Sequence, residues 1–486
     1  MDKKEDAPRG LKHRKESFSE WFTEVVERAE LADLRYNVKG FLVHRPWSVI
    51  AMKGMYRLYE AELERRGHRP VWFPAVIPRE NFEIESEHVK GFTPEVFWVT
   101  HAGDEELAEK LALRPTSETA MYKMYSLWIR SWRDLPLKLY QSCQVWRHET
   151  KSTRPFIRGR EFYWIEAHDV FATREEAEAQ AREDMQTTEN VMHKEFGIPY
   201  MAFERPEWDK FAGAVRTYAA DTLMPDGRAV QQPSTHLLGQ NFAKPFGIRF
   251  RDKDEEEKIP WQTCYGPAIW RMVASIVAVH GDDKGLVFPY KIAPVQAVIV
   301  PIFKKENEEE VVGKALRIVK ELRDSGIRAQ ADLSDSTPGW KFNEWELKGV
   351  PIRLEIGMRE VGNGEVTLAR RDTNEKKRIK DKDIIESVKN EGDAMTKHLI
   401  EKADKWFRSS IREARHVHEL DVKEGGFVKV DFCSIDRAGL ACAENIKEKY
   451  HLHVRGRRAD AEEKPAGNCI VCGKKAGVVV YLARQY

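Results

Sequence analysis

Cysteine is scarce: six residues in 486, four of them beyond residue 430. So sparse a set does not build a disulfide framework, and the clustering points to a metal site in a reducing compartment. No apolar run approaches the roughly 18 residues of a membrane-spanning helix, so no membrane partner is expected. An excess of charge of either sign is also missing, since 80 Lys and Arg meet 79 Asp and Glu for a net charge of +1. A polyanionic partner must then be met by local basic patches. The opening MDKKEDAPRGLKHRKE has no apolar centre of the kind a secretion signal needs, and the expected location is cytoplasmic. No internal repeat is visible. What is present, 42% hydrophobic and 33% charged residues, suffices for about two or three cores.

The densest chemistry lies in CQVWRHETKSTRPFIRGREFYWIEAHD, residues 143–169. Cys143, Val145 and Arg147 alternate with Gln144, Trp146 and His148, the period of a strand. A polar turn with Ser152, Thr153 and Pro155 follows, then a second strand from Arg158 to Ala167. This predicts a hairpin with Arg147 and Glu149 on one face and Arg158 and Arg160 on the partner strand. Arginines, one carboxylate and the aromatics Phe162 and Trp164 suit a flat polyanionic ligand; the other reading is a solvated charged face.

Around this hairpin, Ser17 to Glu20 reads as a capping box opening a helix with Trp21, Phe22, Val25, Val26 and Ala29 on one face. A second helix spans about Ala51 to Arg66, and VWFPAVIP reads as an edge strand interrupted by Pro74. A long helix feeding an edge strand offers a self-complementary dimer surface, and packing on its own core is the other reading. In LALRPTSETAMYKMYSLW, Thr116 and Glu118 stand where a helix starts. They suit either an N-cap with a favourable first-turn charge or a grip on a ligand ammonium. Thr173 to Glu176 forms another capping box, opening a helix to about Phe196. Gln231, Gln232, Ser234 and His236 form a polar cluster, with His236 open to scaffold or ligand duty. WQTCYGPAIWR then ends a strand and opens an apolar helix carrying Arg271, a combination that makes an anion site.

Taken in order, GHRPVWFP, RHE with GREF, and GPAIWR resemble the three motifs of a class II aminoacyl-tRNA synthetase. RPTSE, WQTCYG and HGDDKGLVFP narrow the resemblance to the prolyl-tRNA synthetases of archaeal and eukaryotic type, over nearly the whole chain. It implies a multidomain α/β and α+β architecture. A class II antiparallel sheet with flanking helices would occupy residues 1–288, an α/β anticodon-binding domain 289–395, and a small α/β zinc-containing domain 396–486. The implied substrates are L-proline, ATP with Mg²⁺ and tRNA(Pro), and the implied assembly is a homodimer. Arg147 would bind the α-phosphate and the proline carboxylate, Glu149 would accept from the adenine amino group, and Arg158 and Arg271 would hold the outer phosphates. Phe162 would stack near the adenine, with Gln231 and Ser234 near the nucleotide. Thr116 and Glu118 would hold the proline nitrogen, while Trp164, His168 and His236 wall the ring pocket over Gly266. This chain carries Ser234 where the family often has threonine, Cys264–Tyr265 for serine–tryptophan, and Ala268 for glycine. The short spacing between second and third motifs leaves no room for a large editing insertion.

From Ala297 a buried strand, a helix over Glu308 to Asp324 and further strands indicate a separate α/β domain. It resembles the anticodon-binding domain of class II synthetases. Trp340, Lys341, Trp345, Glu355, Arg370 and Arg371 offer the stacking and hydrogen-bonding groups that read single-stranded bases, or else serve the scaffold. Near the end, Cys433 and Cys442 precede Cys469 and Cys472, a Cys₄ pattern for structural zinc, with free thiols or a redox pair as alternatives. The family's final tyrosine turns its carboxylate toward the active site, and Tyr486 stands at that place. Three other functions stay open on sequence: another amino acid, a non-catalytic RNA-binding paralogue, and a zinc-dependent nucleic-acid module.

Overall fold

The computed structural model describes residues 10–82, 84, 96–421 and 425–486; residues 1–9 of the charged opening lie outside them. Its frame is one sheet of eleven strands. From one edge, the order is Ile411–Glu413, Phe427–Phe432, Val478–Ala483, His453–Arg458, Met201–Glu204, Arg216–Leu223, Ala229–Gly239, Trp261–Gly266, Glu161–Phe171, Leu137–Trp146 and Arg69–Pro70. Only the outermost pair at each end is parallel. Strands from the last ninety residues thus continue the central sheet, joined through Arg457 opposite Glu204 and Arg458 opposite Phe203.

The central helix Ile269–His280 buries all but Arg271 and Val279 of its residues. It packs with the helices Phe18–Arg28 and Pro46–Arg65 in the largest core, and Trp21, Phe22, Met55, Tyr59 and Leu63 are fully enclosed. Two capping expectations fail. Ser17 precedes the first helix but its side chain caps nothing. Thr116 is not an N-cap: Ser117 holds that place, and Thr116 donates to the Glu118 carboxylate instead. Both hydroxyls there donate to buried carboxylates, charged acceptors that draw them away from the first N–H groups of the helix. The Thr173–Glu176 box does form, with Glu176 N donating to Thr173 Oγ1 at 3.3 Å and Thr173 N to Glu176 Oε2 at 3.0 Å. Its α-helix ends at Thr188 and passes into a π turn over Glu189–His193 before Gly197 closes the segment.

The hairpin is present, with strands Leu137–Trp146 and Glu161–Phe171. Its first strand ends before Arg147 and its second starts after Arg160. Arg147, Glu149, Arg158 and Arg160 therefore belong to the connection, not to the ladder as the alternation suggested. The connection folds back on itself: Arg147 N donates to Arg160 O at 2.9 Å and Arg154 N to Arg158 O at 2.8 Å. Gly159 lets it lie flat, because a Cβ there would meet the Trp270 ring at 2.6 Å. Pro74 sits where pairing lapses between Arg69–Pro70 and Val76–Pro78, and Arg114 Nη1 binds the carbonyls of Phe73 and Pro74 at 2.7 and 3.3 Å.

A second sheet, ordered Ala329–Ala331, Ala297–Pro301, Ile352–Ile356, Glu365–Arg370 and Lys376–Lys380, forms a separate α/β unit with the helices Glu308–Asp324, Pro338–Leu347 and Ile384–Ser409. Its strand Ala297–Pro301 is buried at every residue, as a strand covered on both faces must be.

Candidate active site

Three adjacent strands and one helix build a pocket of about 200 Å³. Trp164, Glu166 and His168 alternate along Glu161–Phe171 and so share one face. Ser234 and His236 do the same on Ala229–Gly239, Cys264 and Gly266 on Trp261–Gly266. The helix Ile269–His280 brings Arg271, and the loop before Glu118–Trp128 brings Thr116. Thr116, Glu118, Arg147, Phe162, Trp164, His168, Gln231, Ser234, His236, Gly266 and Arg271 all line this pocket. Glu149 and Arg158 are not among the lining residues: they pair with each other at 3.1 Å, and Arg158 faces a neighbouring cavity instead.

One side of the pocket is cationic. Arg147 lies over the Phe162 and Trp164 rings at 5.3 and 5.4 Å and donates from Nε to Pro115 O at 3.0 Å. Arg271 Nη1 donates to Gln231 O at 2.7 Å. Burial, then the fields of Arg147 and Arg158, push the Arg271 pKa down to about 10. Guanidiniums packed this closely mark a place for multiple negative charge.

The other side is a buried carboxylate network. Glu166 accepts Ser117 N at 3.1 Å, Gln141 Nε2 at 2.9 Å and the Ser117 hydroxyl, and meets His168 Nε2 at 3.2 Å. Burial opposes its charge, but His168 and Ser117 outweigh that and hold its pKa down to about 2. Its partner His168 shifts the other way: burial lowers the imidazole pKa, and Glu166 and Glu118 more than restore it. His236 is kept neutral, at about 3, by burial and by Arg205, His168 and Arg147. Its ring stacks on Phe211 at 4.5 Å and meets Thr217 Oγ1 at 2.9 Å and Ser234 Oγ at 3.2 Å. The pocket thus sets the aromatic faces of Phe162, Trp164 and His236 beside the ionised Glu166–His168 pair.

Comparisons with known proteins decide the family. The class II core model for the glycine, histidine, proline, serine and threonine tRNA synthetases matches residues 97–280. An anticodon-binding domain matches 296–391, and a prolyl-tRNA synthetase C-terminal domain matches 419–486. A proline--tRNA ligase of Thermofilum pendens is 53% identical over 97% of this chain and 98% of that one. The chain belongs to the prolyl-tRNA synthetases. One from Pyrococcus abyssi is 45% identical over the same shares of both chains. A solved Giardia lamblia prolyl-tRNA synthetase in complex with prolyl-adenylate matches with a TM-score of 0.94 and 36% identity, over 98% of this chain and 100% of that one.

In this synthetase the anticodon unit uses most of its candidate base readers internally. Lys341 Nζ and Trp345 Nε1 both donate to Asp332, at 2.9 and 2.8 Å. Arg370 pairs with Asp372 at 2.7 Å, and Arg371 reaches Asp282 at 2.6 Å, fastening the unit to the end of the central helix. Glu355 lies 2.8 Å from Lys376, while Trp340 keeps 41% of its surface exposed. The four late cysteines converge, their sulfurs all within 4.8 Å of one another. Sequence reasoning passed over Glu166, Phe211 and Thr217 as pocket residues. Glu166 was accessible through its spacing midway between Trp164 and His168; Phe211 and Thr217 come from a stretch with no periodic signal.

Proposed function

We propose that L-proline and ATP meet in this pocket, with the residue roles that follow. The reaction is that of a proline--tRNA ligase: proline is activated by ATP to prolyl-adenylate with release of pyrophosphate, then moved to the 3′-terminal adenosine of tRNA(Pro). The observation that carries the assignment is the juxtaposition, in one pocket, of Arg147 and Arg271 with the Thr116–Glu118–Glu166–His168 network.

The proline ring lies against Trp164 and His236, and its nitrogen is held by Thr116 and Glu118. Its carboxylate then faces Arg147, which also takes the α-phosphate. In-line attack on phosphorus needs positioning and cations where charge develops, with little covalent help. Arg147 and Arg271 supply that charge from fixed positions, and Arg158 and Glu149 hold the outer phosphates and the adenine edge. Gln231 and Ser234 flank the nucleotide, and Phe162 stacks beside it. No general base is required, because the proline carboxylate is already ionised. Mg²⁺ accompanies ATP and neutralises part of its phosphate charge.

The remaining assignments belong to the same reading. Residues 1–288 form the catalytic domain and the anticodon domain starts at 289; the expected boundary at 395 falls inside the helix Ile384–Ser409, so that domain runs to the end of this helix and the C-terminal domain takes the residues after it. Cys433, Cys442, Cys469 and Cys472 would hold a structural zinc, since their four sulfurs lie within 4.8 Å of one another and four thiolates would leave no open position for catalysis. The chain acts in the cytoplasm as a homodimer, pairing through the edge at Arg69–Pro70, where Trp72 is 91% exposed. Trp340, with 41% of its surface exposed, is the anticodon candidate best placed to reach a base, whereas Glu355 is buried and held by Arg353 and Lys376. Proline-dependent exchange of pyrophosphate into ATP tests the reading. Exchange with proline above other amino acids is expected, and exchange driven equally by all, or by none, rejects it.

A further inference from the structure

Cys264, one of the positions at which this chain differs from the family pattern, puts a thiol in the wall of the pocket. It stands directly opposite His168 on one neighbouring strand and opposite His236 on the other, so the three side chains share the pocket face. Glu118 reaches the same place from the first turn of the helix Glu118–Trp128. The Cys264 thiol donates to Glu118 Oε1 at 3.6 Å. That sulfur, a Glu118 carboxylate oxygen and a His168 ring nitrogen all lie within 4.8 Å of one another. All three residues are buried, yet each lines the pocket.

Thiolate, carboxylate and imidazole together are a donor set for zinc. Bonds of about 2.3 Å to sulfur and about 2.1 Å to oxygen, at a tetrahedral angle, set those two atoms about 3.6 Å apart. The Cys264–Glu118 pair already has that separation. The imidazole is also held as ligating histidines are. Its Nε2 meets the Glu166 carboxylate at 3.2 Å, and its Nδ1 lies 3.1 Å from the Tyr122 hydroxyl. A carboxylate behind one ring nitrogen fixes the tautomer and turns the lone pair of the other toward a metal. An ion at Nδ1 replaces the Tyr122 contact. Three protein donors leave one tetrahedral position open, whereas the four late cysteines offer a closed set.

We propose that the pocket is also an inhibitory site for a thiophilic divalent cation of the zinc type, held by Cys264, Glu118 and His168, and that this ion and proline exclude each other. The proposal rests on the reading of the pocket as the proline site. There Glu118 takes the substrate nitrogen; a dication on Glu118 occupies that carboxylate and repels the positively charged nitrogen. Binding releases the Cys264 thiol proton to solvent, and no electron is transferred. Mg²⁺, which prefers oxygen donors, competes poorly at a site offering sulfur and nitrogen, so the metal that accompanies ATP leaves the pocket to proline. With three donors the site is weaker than the four-thiolate one and fills only when zinc is added.

The test is proline-dependent pyrophosphate exchange by the full-length enzyme at buffered free Zn²⁺. Zn²⁺ should raise the KM for proline and leave kcat unchanged. At fixed free Zn²⁺, more proline should restore the full rate, and more MgATP should not. The C264S variant, measured against its own zinc-free rate, should need at least about tenfold more free Zn²⁺ for half-inhibition, because a serine hydroxyl is no soft ligand. Co²⁺ titrated into parent carrying one zinc per chain should add a thiolate-to-cobalt absorption band that proline abolishes and C264S lacks. Absence of inhibition, inhibition that proline fails to relieve, a C264S variant as sensitive as the parent, or a cobalt band indifferent to proline would each overturn the proposal. Absence of proline-dependent exchange in the parent without added zinc would instead overturn the reading of the pocket.

Discussion

Asp221 offers a strong test of how the C-terminal strands support the site. Its carboxylate is fully buried on the strand Arg216–Leu223. It receives Arg205 Nη2 at 2.6 Å and Nη1 at 2.8 Å, and Arg455 Nε at 2.7 Å. Arg455 belongs to the strand His453–Arg458, so one side chain ties the two parts of the long sheet together. Burial works against its charge, but the two guanidiniums overcome it and hold the pKa down to about 2. Asp221→Asn keeps the shape and removes the charge, leaving two buried guanidiniums facing an amide. Removing one partner from a buried ionic cluster costs about 3–5 kcal/mol. At ~2–4 °C per kcal/mol for a domain of ~150–250 residues, the first thermal transition should fall by about 6 °C or more. The sign with pH follows from a depressed folded-state pKa. The stabilisation is present above the unfolded carboxyl value near ~4 and fades as pH falls through about 2, so the gap between parent and variant should narrow over that interval. Arg205 Nη2 also donates to Gln231 Oε1 at 3.0 Å, so the KM for ATP should rise in pyrophosphate exchange. Scanning calorimetry at pH 7 and in acid, with exchange kinetics beside it, reads all three. A variant melting within about 1 °C of the parent at pH 7, with an unchanged KM for ATP, would refute the reasoning.

Other outcomes follow from the same geometry. Arg147→Ala should slow proline-dependent exchange by at least ~100-fold, since one preorganised electrostatic donor is worth about 3–4 kcal/mol; normal exchange would remove Arg147 from the mechanism. Glu166→Gln places an amide N–H among donors from Ser117 and Gln141, so the KM for proline should rise at least tenfold while that for ATP stays within about threefold. Equal effects on both substrates would indicate general unfolding. The parent should carry one zinc per chain by metal analysis, and the C469S/C472S double variant none; zinc retained at full stoichiometry would argue against the Cys₄ site. Alanine or cysteine should support measurable exchange at high concentration, because one methylene discriminates by only ~1–3 kcal/mol and no editing insertion separates the second and third motifs. No detectable exchange with either would contradict that.

Much of this was legible before any coordinate, and the gaps have physical causes. The apolar faces of the first two helices, the helix Glu308–Asp324 and the cysteine cluster follow from period and spacing, which report burial directly. Of the motif residues, Arg147, Phe162, Trp164, His168, Gly266 and Arg271 line one pocket, whereas Glu149 and Arg158 do not. Period alone placed Arg147 and Arg158 in a ladder, because a connection that pairs with itself imitates strand alternation. Trp345, Lys341 and Arg371 look like base readers by residue type, yet Asp332 and Asp282, distant in the chain or unremarkable in pattern, take them. The continuity of the C-terminal strands with the central sheet had no local signal either. It depends on the pairing of Arg457 with Glu204 and Arg458 with Phe203, some 250 positions apart.

The most direct measurement is a crystal structure with a non-hydrolysable prolyl-adenylate analogue. The account predicts its phosphate-mimicking group between Arg147 and Arg271, its prolyl ring against Trp164 and His236, and its adenine beside Phe162. An analogue bound at full occupancy elsewhere, with those two arginines contacting only solvent, would contradict it.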